Sequence, residues 1–259
     1  MSYKISNSIR SHLRHCYLTI MGHALAQNTT MPRTQFFHSH GLRLEDEKDF
    51  LEKITIIKDI FTFMSFYDAF KTVLTDISKP IAALSFDDGK KSSTRIGEIL
   101  SDQEISACFF VCPGLVGTDG YMSWIDIKKL VELGHEIGGH TMNHPDLGKQ
   151  KQSVIHDEIY DCRRELLERG IVANHFAWPF GRFENFNEYS RQIVFESGFI
   201  SCASGVRGCH SVTHETGHDQ LCLRRDQFEA HWPDSHMKYF IYRSAHRASI
   251  TDNHFPYGS

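Results

Sequence analysis

The chain has 259 residues, 41% hydrophobic and 23% charged, which is long enough to bury one large core and fits a single α/β domain. Its 28 Lys and Arg stand against 32 Asp and Glu, and the formal net charge of -4 leaves no basic stripe, which excludes nucleic acid as a partner. The 7 cysteines, odd in number and irregular in spacing, do not make the paired framework of a small secreted domain and read as reduced thiols.

The opening MSYKISNSIRSHLRHCYLTIMGHALAQ places charges and histidines where a signal peptide needs an uninterrupted apolar stretch, and no transmembrane segment is found in the sequence. A cytoplasmic protein is expected, whose weakly amphipathic N-terminus reads as an ordinary surface helix in preference to one lying on the inner face of the membrane. From EKDFLEKITIIKDI onward, apolar runs of strand length alternate with helical periodicity, the pattern of parallel βα units. Residues 47–60 set Phe50, Ile54 and Ile57 at helical spacing with Phe61 just beyond, and 65–74 form a further short helix. PIAALSF is a strand covered on both faces, STRIGEIL a helix and SACFFVCP a strand. Ser123, with Asp126 three residues on, caps a helix that stops at Gly134.

HEIGGHT is a short glycine-rich strand whose end approaches a site. Residues 153–169 carry the stripe Ile155, Ile159, Cys162 and Leu166 of an amphipathic helix, with Gly170 past its end. HFAWPFG is a strand, 187–197 a helix stopped by Gly198, FISCASG a strand, and 205–220 a long loop rich in Gly, His and Thr.

In βα architectures the loops after the strands gather on one face. Asp87 and Asp88 end one strand, His140 and His144 follow another, and Pro179, Phe180 and Gly181 end a third. Adjacent carboxylates repel and call for a cation. In HTMNH the imidazoles are four apart and reach one ion if the segment makes a helical turn. One aspartate and two histidines form an open three-ligand site for a divalent ion.

The motifs LSFDDG, HEIGGHTMNH and FAWPFG, in this order, resemble the leading motifs of the polysaccharide deacetylases of carbohydrate esterase family four, the NodB-homology domain. The resemblance covers about residues 78–230 and implies a distorted (β/α) barrel, with an N-terminal strand and helix extension (1–77) and a C-terminal tail (231–259) in one catalytic domain over 1–259. It implies hydrolysis of the N-acetyl group of an acetamido sugar by one divalent ion, zinc first and cobalt, nickel or manganese as alternatives. By the likeness Asp87 is the base, and Asp88, His140 and His144 hold the metal.

Phe180 is then the backbone N–H donor to the oxyanion, with Pro179 and Gly181 as substrate contacts or a strand-ending turn, and Trp178 as a sugar-stacking wall or, in preference, a core tryptophan. The family's third motif commonly opens with arginine, whereas this chain has Ala177; DQLCLRRDQF offers Arg225, or Arg224, as the replacement cation for Asp87. The late Leu-x-His motif that supplies the general acid has no counterpart after residue 200, so the loop histidines His210, His214 and His218 are considered, with His210 named because it lies nearest its strand. His38 and His40 in FFHSHG also follow an apolar pair. The substrate is an acetamido sugar, free, nucleotide-linked or lipid-linked, on the way to a surface polysaccharide. Competing readings are a deformylase or other amide hydrolase on the same fold, and an inactive carbohydrate-binding scaffold; the residues leave the oligomeric state open.

Overall fold

A computed structural model describes residues 12–22, 31–73, 75, 77–211, 221–248 and 253–256. Helix α1 covers 12–22. From there strands and helices alternate: β1 (Thr34–Ser39), α2 (Glu47–Lys58), β2 (Thr62–Phe63), α3 (Phe66–Thr72), β3 (Ile81–Phe86), α4 (Ser93–Asp102) and β4 (Ala107–Val111). Then come α5 (Trp124–Glu132), β5 (Glu136–Gly139), α6 (Gln152–Glu168), β6 (His175–Ala177), α7 (Glu188–Glu196), β7 (Ser201–Ala203), β8 (Cys222–Leu223), β9 (Arg225–Gln227) and α8 (Asp234–Arg247).

Local chemistry sets the element ends. Ser123 and Asp126 form a reciprocal capping box at the start of α5. The α6 stripe Ile155, Ile159, Cys162 and Leu166 is buried as its spacing predicts, and Gly170 takes a φ of 76° past the helix end. In α4, Gly97 lets α5 approach closely, because a β-carbon there would meet Leu130 Cδ2 at 2.2 Å. The glycines of β5 have a packing reason: β-carbons on Gly138 and Gly139 would collide with Phe110 at 2.4 Å and Phe199 at 2.6 Å.

The strands pair side by side in parallel in the order β8-β7-β6-β5-β4-β3-β1-β9, with β2 added to the start of β3. Strands β8 and β9 are separated by Arg224 alone, so one kinked segment pairs with β7 at one sheet edge and with β1 at the other. That segment closes a distorted barrel. The interior holds Phe36, Ala83, Cys108, Phe110, Ala177 and Ala203, plugged at one end by Phe66 and Phe70 of α3. The opposite faces of the strands, such as Phe37, Leu84 and Phe109, pack on the helices. Both flanks of the resemblance contribute: β1 lies between β3 and β9, and residues 253–256 return to β8, where the Cys222 N–H donates to the Asn253 carbonyl at 2.8 Å.

Candidate active site

Strand parity selects the side chains that enter the barrel mouth. In β3 the inward positions run Ile81, Ala83 and then Ser85, and the same parity carries Asp87, one residue past the strand, onto the interior side. The Asp87 backbone is still in register, its N–H donating to the Ser39 carbonyl at 2.9 Å. From β9, Arg225 points inward over the Phe110 ring, 5.2 Å from its centroid. It donates through Nη1 to Asp87 Oδ1 at 2.7 Å and through Nη2 to Asp87 Oδ2 at 2.9 Å, and its remaining donors meet the Ser204 carbonyl and Ser85 Oγ. This two-pronged pairing is the geometry a guanidinium offers a carboxylate.

Asp87 is 4% exposed and Arg225 has no exposed surface. Burial alone would push the Asp87 carboxyl up; the Arg225 charge, with His140 and His38, overrides it and holds the group well below the usual carboxylate range. His38, inward on β1, brings Nδ1 to 3.6 Å from Asp87 Oδ2, and neither ring nitrogen has a hydrogen-bond partner among the described residues. Burial first, then the Arg225 charge, pushes its imidazole well below the ordinary histidine value.

The neighbouring aspartate faces other partners. Asp88 Oδ1 lies 3.4 Å from His140 Nε2 and 3.1 Å from His144 Nε2, and the ligand atoms of all three residues lie within 4.8 Å of one another. His140 Nδ1 donates to the Ala177 carbonyl at 2.7 Å, which holds the ring with Nε2 turned towards Asp88. A carboxylate and two imidazoles so disposed fit a divalent cation and leave other coordination positions open. Burial pushes the Asp88 carboxyl up, but the two imidazoles hold it well below the usual range.

The segment from His140 to His144 is not the helical turn its spacing suggested: Thr141 and His144 have φ of 64° and 63°, and the His144 N–H donates to Thr141 Oγ1 at 3.0 Å. The rings converge through this bend, with centroids 5.0 Å apart. Asp88, at a φ of 73°, and Phe180, at 64°, are also left-handed, so four non-glycine residues in this strained conformation surround one spot.

The turn after β6 divides its roles. Phe180 is 60% exposed and its ring lies 5.1 Å from that of His144. Pro179 and Gly181 are buried, and a β-carbon on Gly181 would meet the Gly205 nitrogen at 2.5 Å, so the glycine serves a backbone crossing. Trp178, weighed as a substrate contact against a core tryptophan, takes the core place: it is fully buried, stacked on Phe186 at 4.3 Å, with Nε1 donating to the Arg182 carbonyl. It has no face to offer a sugar.

His210 is not brought to the site. Its backbone bridges Thr34, at the start of β1 and hence the opposite end of the barrel, and its Nε2 accepts from the Arg224 N–H at 3.1 Å. Burial and the Arg224 charge push its imidazole down to about 3. His214 and His218 lie outside the described residues. The imidazole that does stand beside Asp87 is His38, whose signal in the sequence was its place two residues beyond Phe36 on one strand face. Lys90 also lines the site, 3.8 Å from Asp88 Oδ2 and held by Tyr121 through a hydrogen bond of 2.9 Å and a ring contact of 4.2 Å. Tyr121 carried no signal in the sequence, because only the bridge between Lys90 and Tyr121 brings it there.

Against known proteins, the polysaccharide deacetylase family model matches residues 75–199. Over this stretch, just under half of the chain, the sequence is similar to the polysaccharide deacetylase family. Its curated relatives include a chitooligosaccharide deacetylase of Bradyrhizobium sp., 29% identical over 102 residues that make up 38% of this chain and 45% of the relative. A peptidoglycan-N-acetylglucosamine deacetylase of Listeria monocytogenes is 30% identical over 102 residues, 38% of this chain and 21% of the relative. The chain thus matches less than half the length of these deacetylases. Among solved structures, the Streptococcus pyogenes deacetylase PplD superposes with a TM-score of 0.67 at 20% identity, over 82% of this chain and 98% of PplD. IcaB from Ammonifex degensii gives 0.67 at 18% identity over the same shares. These likenesses establish the polysaccharide deacetylase fold for the barrel. No helix among the described residues is long and apolar enough to cross a membrane.

Proposed function

We propose that the protein is a metal-dependent hydrolase that removes the N-acetyl group of an acetamido sugar belonging to a surface polysaccharide or its precursor. The observation that carries this reading is the pairing of two unlike aspartates at the barrel mouth: Asp88 grouped with His140 and His144, and Asp87 locked on Arg225. The curated relatives act on N-acetylated glycans by their names, in line with it.

Asp88, His140 and His144 would hold the ion, with zinc the best match to one carboxylate and two imidazoles. When bound, it supplies Lewis-acid polarisation of the amide carbonyl and makes water a stronger nucleophile. Asp87, ionised by Arg225, takes the proton of the attacking water as the new C–O bond forms. The Phe180 backbone N–H supports the carbonyl oxygen as charge builds on it. When the C–N bond breaks, His38 beside Asp87 passes the proton towards the departing amine, and the products are acetate and the free amino sugar. The barrel wall under Asp87 and Arg225 is buried, which keeps water from competing for their hydrogen bonds.

The test is to incubate the metal-loaded protein with acetamido-sugar conjugates, free, nucleotide-linked and lipid-linked, and to quantify acetate and formate. Acetate release is expected; formate alone, or neither product across the panel, overturns the reading. His38→Ala is expected to retain the ion and lose roughly 100-fold or more in kcat, whereas His210→Ala keeps kcat and shifts only the thermal midpoint. Equal kcat in His38→Ala and wild type would remove His38 from the proton path.

The Arg225 pairing has its own signature. Arg225→Met leaves the buried Asp87 carboxylate without its main cation, a change that costs about 3–5 kcal/mol of stability. With the cation gone, the Asp87 pKa rises, so the acidic limb of the kcat/KM profile moves to higher pH. Arg225→Lys restores charge without the fork and should fall between the two; limbs that coincide in all three proteins would make Arg225 purely structural.

A further inference from the structure

The proposed metal-site residues do not line the cleft between α1 and the start of α8. This cleft has a volume of about 700 Å³, and its polar lining is His12, Arg14 and His15 from α1 with His231 and His236 from the α8 end. Among the described residues that line it there is no carboxylate. Of the acids nearby, Asp234 is paired with Lys53, Asp46, whose carboxyl also feels His231, with Arg43, and Glu229, which shares the neighbouring groove with His231, accepts from Gln227 Nε2.

His15 Nδ1 and His236 Nε2 stand 3.0 Å apart, so one donates a proton and the other accepts it. A second proton on this pair would set two cations in contact, with Arg14 as a third; only an anion between them makes that state favourable. Burial, with His15 and Arg14, holds the His236 imidazole below its ordinary value, the behaviour of a cationic cluster without its counter-charge. The 14-residue helix α8 has Pro233, which lines the cleft, as its N-cap, and this residue makes no side-chain cap hydrogen bond. Trp232 and Phe240 form apolar walls, and the Arg207 guanidinium lies 3.7 Å from the Phe240 centroid.

We propose that this cleft is a phosphate-binding site, which takes the phosphate ester of a sugar or of its carrier. A phosphate offers three oxygens, one for the Arg14 fork, one for the His15 and His236 pair and one for the α8 terminus. Its position has a meaning for the substrate: His231 also lines a groove of about 630 Å³ shared with His40, Arg43 and Lys90, and Lys90 touches Asp88. A phosphate attached to the acetamido sugar would therefore sit in a cleft that shares His231 with the groove bearing Lys90. That link rests on the hydrolase reading above; the phosphate site does not.

The experiment is calorimetric titration of the full chain with inorganic phosphate and with glucose 1-phosphate, in metal-loaded wild type, Arg14→Gln and His236→Gln, and in His140→Ala without added metal. Saturable binding is expected in wild type and in His140→Ala, weakened roughly tenfold or more in Arg14→Gln and His236→Gln. Binding lost in His140→Ala but kept in the other two would place the phosphate on the metal centre and overturn the proposal. So would the absence of saturation below roughly 10 mM phosphate, provided that vesicles containing phosphatidylglycerol also fail to bind. Arg14-dependent vesicle binding without binding of the soluble phosphates would assign the phosphate to a lipid headgroup. Circular dichroism of each variant checks that α1 and α8 are intact, and neither substitution touches the proposed catalytic residues, so acetate release is read separately.

Discussion

Asp87→Asn is expected to keep its metal and to lose roughly two to four orders of magnitude in kcat, the range attached to a positioned acid or base. The side chain would still fill the same space beside Arg225 and still accept one hydrogen bond. What it loses is the negative charge, and with it the capacity to take a proton from water. Because Arg225 is buried with no exposed surface, the substitution also leaves that cation under-compensated, at a cost of about 3–5 kcal/mol. Turnover should therefore be measured well below the variant's melting temperature, alongside metal content by mass spectrometry. A wild-type rate with metal in place would remove the base assignment, and a variant that loses its metal would move Asp87 into the ligand set.

His140→Ala and His144→Ala are expected to fail at the earlier step. Removing a partner that only orients a metal ligand costs roughly 10- to 100-fold in affinity, so deleting a ligand should cost at least that. The loss should be greater for His140, which is buried and whose ring is fixed by the Ala177 carbonyl, than for the more accessible His144. Competition for zinc against a chelator of known affinity measures both. Chelation of the wild type should abolish acetate release, and zinc should restore it. Unchanged zinc affinity in both variants would remove the metal site and the proposed mechanism with it.

Much of this was legible in the linear chain because it depends on neighbours in sequence. The unbroken apolar run before Asp87 requires a buried strand, the Ser123 and Asp126 spacing makes a cap, and the α6 stripe is buried where 3.6-residue periodicity puts it. The grouping of Asp88, His140 and His144, the proposed metal ligands, was legible for the same reason: each lies just beyond a recognisable strand, and strand ends in a βα barrel share a face. The exposed Phe180 and the buried Trp178, two residues apart, were not separable in this way, since burial of the tryptophan depends on Phe186 and on Phe255 near the C-terminus.

Barrel closure decided what remained. The sequence offers Arg224 and Arg225 side by side, and nothing local says which one turns inward; the kink between β8 and β9, fixed by pairing with β7 on one side and β1 on the other, gives Asp87 to Arg225. The same closure seats β1 between β3 and β9, which carries His38 from a segment 49 residues before Asp87 to within 3.6 Å of it. It also sends the loop after β7 back along the barrel, so that His210 reaches Thr34 at the far end. Local pattern determines where a strand begins and which side chains share a face. Which strand becomes its neighbour is a choice among distant partners, made by the burial of the whole core.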